Sequence, residues 1–158
     1  MEKVKRIVEM LNIKNETISI MESCTGGYLV NEITNVETAS NILKFSAVTY
    51  SNEYKIKLGV SKETIDKFTV YGKETSKEMA KAISDYTKSD YGIGITGKLN
   101  KEDKNNLEGK NNEVFYTIYD KRNNQYYSFN ILVKNEKRED NKKDVVNDLV
   151  NSLYKILK

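Results

Sequence analysis

Val4, Ile7, Val8 and Leu11 recur at the three-and-four spacing of a helix, and this pattern predicts an amphipathic first helix ending near Asn12. The run Thr17-Ile18-Ser19-Ile20-Met21 is short, β-branched and apolar, so it reads as a strand. It breaks at Glu22-Ser23-Cys24-Thr25-Gly26-Gly27, after which Tyr28, Leu29 and Ile33 resume helical spacing. Phe45 to Tyr50 reads as a second strand, and the polar Ser51-Asn52-Glu53 leads from it into a short helix carrying Lys55. Ser61 reads as the N-cap of a helix through Phe68, with Thr64 at its third helical position. A longer helix follows over Glu74 to Tyr86, with Met79, Ala80, Ile83 and Tyr86 on or near one face.

Tyr91 to Thr96 reads as a third strand, ending at Gly97. Lys98 to Asn111 is charged, rich in Asn and without periodicity, which predicts a mobile loop. Val114 to Asp120 and Gln125 to Val133 are aromatic and β-branched runs joined by Lys121-Arg122-Asn123-Asn124, the pattern of a hairpin. The last helix is expected over Asn141 to Leu157, with Val145, Val146, Leu149, Leu153, Ile156 and Leu157 as its apolar stripe. Strands alternating with helices point to an α/β fold.

Composition narrows the classes of function. At 158 residues the chain is long enough for one domain with a core and short for two. A hydrophobic share of 38% beside 31% charged residues argues against disorder throughout. The net charge is only +3 and the lysines are scattered, so no nucleic-acid footprint is expected. No run approaches the roughly 18 to 20 apolar residues that span a bilayer, and the N-terminus lacks the features of a signal peptide, so the cytoplasm is the expected location.

Two absences bear on chemistry. The single cysteine, Cys24, has no partner for an intramolecular disulfide, and it leaves carboxylates as the remaining metal ligands, so no zinc site is expected. Without histidine there is no Ser-His-Asp triad and no Cys-His pair. A nucleophile here must be activated by lysine, carboxylate, tyrosine or a helix dipole.

The three strands end in small or hydroxylated residues: Ser23 to Gly27, Tyr50-Ser51 and Thr96-Gly97. In open α/β sheets ligands bind outside the carboxyl ends of the strands, so these endings are expected to converge on one crevice. Gly26-Gly27 at a helix start lets backbone amides approach an oxyanion; the alternative is a tight turn capped by Ser23 or Thr25. Ser23 as a nucleophile needs a base, and Lys55 could serve as the neutral amine, although a helical lysine is usually a solvated charge. Tyr50 could orient Ser23 or simply pack, and Cys24 is either a second nucleophile or a small buried side chain.

The segments Glu22-Ser23-Cys24-Thr25-Gly26-Gly27, Val48-Thr49-Tyr50-Ser51-Asn52-Glu53-Tyr54-Lys55 and Leu58-Gly59-Val60, with Glu78-Met79-Ala80 and Thr96-Gly97, resemble the signature of the CinA C-terminal domain family. The resemblance implies an α/β three-layer sandwich whose mixed sheet, parallel strands plus a C-terminal antiparallel hairpin, is flanked by helices, in one domain over residues 1–158. It implies hydrolysis of the carboxamide of nicotinamide mononucleotide to nicotinate mononucleotide and ammonia, in pyridine-nucleotide salvage, without metal or redox cofactor. Ser23 would be the nucleophile, Lys55 its base and Tyr50 an assistant. Thr25, Gly26, Gly27, Thr96, Gly97 and Arg138 would bind substrate, with backbone amides around Thr25 to Gly27 or near Gly97 steadying the oxyanion. A homodimer is expected by the same resemblance and because cyclic pairs are the commonest assembly. The family's longer members carry an extra N-terminal domain resembling molybdopterin-binding folds, and activities tied to it are not expected here.

The chain also departs from the family pattern. Lys98-Leu99-Asn100-Lys101-Glu102-Asp103 stands where the family usually has Ile-Ala-Gly-Pro and a glycine-rich segment. Thr69-Val70-Tyr71-Gly72 replaces Gly-Ala-Val-Ser, and Asn111-Asn112 replaces Val-Gly. Side chains in place of glycines restrict close backbone approach, so the pocket is expected to be reshaped. Two readings follow: an active amidohydrolase, or a catalytically impaired relative that binds a nucleotide or a protein partner.

Overall fold

The computed structural model describes residues 1–68, 72–101 and 109–158. The order of elements is α1 (Glu2–Lys14), β1 (Ile18–Glu22), α2 (Tyr28–Thr34), a 3-10 helix (Glu37–Asn41), β2 (Ser46–Val48), α3 (Asn52–Lys57), α4 (Lys62–Phe68), α5 (Lys73–Thr87), β3 (Tyr91–Gly97), β4 (Glu113–Asp120), β5 (Gln125–Leu132) and α6 (Arg138–Leu157). The five strands form one mixed sheet in the order β2-β1-β3-β4-β5. β1 pairs parallel with β2 and β3, while β3-β4 and β4-β5 are antiparallel.

Helices cover both faces, and strand alternation decides which residues they meet. Ile18 and Ile20 of β1, Ile93 and Ile95 of β3 and Tyr116 and Ile118 of β4 join Val4, Ile7, Val8 and Leu11 of α1 and Val145, Val146, Leu149 and Leu153 of α6 in the main core. The opposite face meets α5, where Met21, Met79 and Ile83 form a smaller cluster with Val60 and Ile65. On that face β3 presents Gly92 and Gly94. A methyl added to Gly92 would lie 2.1 Å from Ala80 O, and one added to Gly94 would lie 2.4 Å from Ser76 O. The α5 backbone therefore rests on the β3 backbone, a closeness open only to glycine. Hydroxyls fill the rest of this seam: Ser19 meets Ser89 at 2.6 Å, and Thr117 sits 2.8 Å from both Ser76 and Ser128.

The expected elements are present, with differences at their ends. α1 continues past Asn12 to Lys14 because Asn15 closes it in the left-handed conformation, its amide returning to Asn12 O and Leu11 O. The second strand shortens to three residues, and α6 begins at Arg138 rather than Asn141. Ser61 does accept from the Thr64 amide, at 3.4 Å. The 3-10 helix Glu37–Asn41 has no sequence counterpart above. Of the expected loop Lys98 to Asn111, residues 102–108 lie outside the described residues, as do Thr69, Val70 and Tyr71. The start of that loop is packed and hydrogen-bonded to its neighbours. Lys98 and Leu99 are buried, the Lys98 amide donates to Glu113 O at 3.0 Å, and Lys101 donates to Asn111 O at 3.0 Å, so antiparallel pairing extends past β3. Among the described residues no helix is long and apolar enough to cross a membrane.

Candidate active site

Because β2, β1 and β3 are parallel neighbours, their carboxyl ends share one edge of the sheet. The chain leaves β1 toward β2 on one side and later returns to add β3 on the other, so the reversal of strand order falls at the end of β1. Ligands of open α/β sheets bind at such a reversal. Ser23 is the first residue beyond β1.

Glu22, the last residue of β1, is fully buried. Its carboxylate accepts from Thr25 Oγ1 at 2.6 Å, from the Leu29 amide at 3.2 Å and from the Val30 amide at 3.0 Å. A strand residue thereby caps α2, whose own N-cap position is Gly27 at φ 96° with no side-chain cap. The turn between them is held by the Gly26 amide donating to Ser23 O at 2.9 Å and the Tyr28 amide donating to Thr25 O at 3.1 Å. Among the described residues, no backbone carbonyl accepts from the amides of Cys24, Thr25 or Gly27. Among the described residues these backbone donors near the Ser23 hydroxyl thus have no carbonyl partner.

β2 supplies the second half. The Thr49 amide donates to Glu22 O at 2.8 Å, continuing the β1-β2 pairing by one bond. Ser51 then caps α3 by accepting from the Tyr54 amide, which turns Lys55 back toward the sheet edge. Lys55 is 1% exposed and Ser23 7%. Lys55 Nζ lies 3.0 Å from Ser23 Oγ and donates to Thr49 O at 2.6 Å. The expected alternative for Lys55, a solvated helical charge, does not hold.

Cys24 is buried, and its desolvation pushes the thiol up to about 12, against a smaller opposing pull from Lys55. The shift disfavours its thiolate, and its burial matches the reading of Cys24 as a small core side chain. Tyr50 is 67% exposed, and its hydroxyl accepts from Arg138 Nη2 at 3.4 Å. It lies on the outer side of the site with Arg138, and Arg138 is close enough for its charge to act on the Cys24 thiol. The side chain of Thr25 is turned inward onto Glu22, so only its backbone faces the turn's open donors. Thr96 is buried at the end of β3. Gly97 permits close strand pairing, since a methyl there would lie 2.5 Å from Glu113 O and from Val114 Cα.

Four residues important to this geometry escape a reading of the sequence. Glu22 holds the nucleophile turn, the Thr49 carbonyl orients Lys55, and Lys142 lies beside Gly26, 3.3 Å from where a methyl there would stand. Asn141, fully buried, accepts from the Asn135 amide and donates to Leu99 O and Asn135 O, tying the exits of β3 and β5 to the first turn of α6. Lys142 had a signal available, its spacing of four from Arg138, which places both on one helix face. The other three act through buried hydrogen bonds whose partners are distant in sequence or are backbone groups.

Comparison with known proteins places this geometry in context. The family described as the CinA C-terminal domain matches residues 1–157. A putative competence-damage inducible protein of Caldicellulosiruptor saccharolyticus is 46% identical over 92 residues, which is 58% of this chain and 22% of that protein. A CinA-like protein of Petrotoga mobilis is 42% identical over 92 residues, covering 58% of this chain and 23% of that protein. The matched stretch is thus under a quarter of the length of these curated relatives. Among solved structures, a competence or damage-inducible protein from Enterobacter asburiae superposes with a TM-score of 0.90 at 24% identity, covering 99% of this chain and 97% of the other. One from Agrobacterium tumefaciens gives 0.87 at 22% identity, covering 99% and 94%. At those identities the likeness establishes the fold.

Proposed function

Because the chain belongs to the CinA C-terminal domain family and holds a buried serine-lysine pair, we propose that it is a serine amidohydrolase acting on the carboxamide of nicotinamide mononucleotide. The observation that carries this reading is the 3.0 Å contact between Ser23 Oγ and Lys55 Nζ, beside turn amides that have no carbonyl partner among the described residues. A lysine acts as a base only as the neutral amine, and withdrawal from water favours that form in general.

In this reading Ser23 Oγ attacks the carboxamide carbon as its proton passes to Lys55 Nζ. The carbonyl oxygen becomes an oxyanion, stabilised by the amides of Cys24, Thr25 or Gly27. Collapse breaks the carbon-nitrogen bond, and the proton held by Lys55 leaves with ammonia. Water, deprotonated by Lys55, then opens the ester to give nicotinate mononucleotide and restores Ser23. The Thr49 carbonyl fixes the Lys55 rotamer throughout. Tyr50 and Arg138 act on the substrate side, where their contact leaves both partly in solvent.

The test is ammonia release from nicotinamide mononucleotide by the wild type and by Ser23→Ala. Release that vanishes in the variant supports the reading. No release from a folded wild type overturns it and points to a relative that binds a nucleotide without hydrolysing it.

A further inference from the structure

Lys55 rides on α3, a helix of only six residues. A helix this short has little stability of its own, so its placement depends on what holds its two ends. Ser51 closes the first end by accepting from the Tyr54 amide. At the other end the Val60 amide donates to Lys55 O at 3.0 Å, and the chain there lies against α5. Gly59, at φ 112°, comes close enough that a methyl added to it would lie 3.2 Å from Ala82 Cβ, and Val60 is buried in one cluster with Met79. The next residue is bonded as well. The Ser61 amide donates to Glu78 Oε1 at 2.9 Å, and the Thr64 hydroxyl donates to Glu78 Oε2. Both oxygens of one half-buried carboxylate on α5 thus hold the segment that leaves α3.

The same helix also locates the serine. Met79, the neighbour of Glu78, shares its cluster with Met21, two residues before Ser23. α5 in turn rests on the β3 backbone at Gly92 and Gly94. Residues 78 and 79 therefore refer both members of the Ser23-Lys55 pair to one element.

From this arrangement we infer that Glu78 is a positioning residue, which sets the reach of Lys55 Nζ to Ser23 Oγ by fixing the exit of α3 on α5. The inference rests on the reading of Ser23 as nucleophile and Lys55 as base. Such a pair passes a proton only within hydrogen-bond reach, and a misplacement of about 1 Å costs on the order of a hundredfold in rate. Without the carboxylate, the Ser61 amide and the Thr64 hydroxyl turn to water, and the exit of α3 is left to the packing of Gly59 and Val60.

The experiment reads Ser23 in two ways: the rate at which a fluorophosphonate labels it, followed by mass spectrometry, and steady-state ammonia release from nicotinamide mononucleotide. Wild type, Glu78→Ala and Glu78→Gln are compared well below their melting temperatures. Glutamine keeps an oxygen for the Ser61 amide and offers Thr64 an amide nitrogen in place of the second oxygen. The labelling rate and kcat are expected to fall about tenfold or more in Glu78→Ala, with KM changed by less than about twofold, and Glu78→Gln should recover most of the loss. A folded Glu78→Ala that labels as fast as the wild type, or a loss carried by KM alone, overturns the positioning role and leaves the pair intact. Labelling of the wild type without ammonia release overturns the amidohydrolase reading, and the labelling rates of the variants still decide on Glu78. A folded wild type whose Ser23 neither labels nor turns over overturns both.

Discussion

Lys55 Nζ sits between two oxygens of different strands' ends, 3.0 Å from Ser23 Oγ beyond β1 and 2.6 Å from Thr49 O beyond β2. The second contact defines the first. With the carbonyl fixing one direction at nitrogen, the side chain cannot swing away from the serine without losing a buried hydrogen bond. Lys55→Met, which retains most of the volume and removes the nitrogen, is expected to lower kcat for ammonia release about a thousandfold or more, the same loss expected of Ser23→Ala. Steady-state kinetics on both variants checks this, and combining them should cost little beyond either alone.

Glu22 is the structural counterpart of that pair. Truncation to alanine strips the Thr25 hydroxyl and the Leu29 and Val30 amides of their acceptor inside the protein. Glu22→Ala should lose about 3 kcal/mol of stability in denaturant unfolding. Glu22→Gln keeps one acceptor oxygen and should lose less.

Cys24 should resist alkylation by iodoacetamide at pH 8 in the native chain and react once the chain is unfolded. The sign follows from its shift, from the usual 9.0 up to about 12 on burial. The folded state keeps the thiol proton where the unfolded state releases it. This group's contribution is therefore complete below about pH 9 and declines between about pH 9 and about pH 12. Mass spectrometry before and after denaturation reads the alkylation directly.

Tyr50 bonds Arg138 and is mostly in solvent. Tyr50→Phe should therefore raise KM for the mononucleotide more than it lowers kcat, with a change in kcat/KM of about tenfold or less. A loss in kcat as deep as that of Ser23→Ala would instead assign Tyr50 to proton transfer.

Much of the architecture is legible from local pattern. The alternation Ile18-Ser19-Ile20-Met21 states which face of β1 meets which layer, and the hairpin is written in Val114 to Val133. The strand endings at Ser23, Tyr50-Ser51 and Thr96-Gly97 do lie on one edge, because strand order places β1 between β2 and β3. Less legible was anything set by a distant partner. α6 starts three residues early because its first turn is anchored through Asn141 to Asn135 and Leu99, contacts with no periodicity. Lys98 and Leu99 look like loop by composition but are held by pairing with Glu113 O and by Asn141. At the site, spacing alone suggests Ser23 and Lys55 without deciding between a solvated lysine and a buried one. That decision lies in the geometry of α3 after β2.

The contact of α5 with Gly92 and Gly94 limits how this protein can be altered. Enlarging either glycine drives a methyl into a carbonyl oxygen, so Gly94→Ala should cost about 1–3 kcal/mol or more, measurable as a lowered melting temperature. Engineering for heat tolerance would gain little along the α5–β3 seam itself, because backbone and hydroxyl contacts fill it and the apolar cluster on that side is the smaller of the two. The α1 and α6 side, lined by interdigitated aliphatic side chains, is where exchanges of similar volume have freedom to succeed. A library of variants would accordingly separate by layer, with tolerance concentrated on one side of the sheet and intolerance on the other.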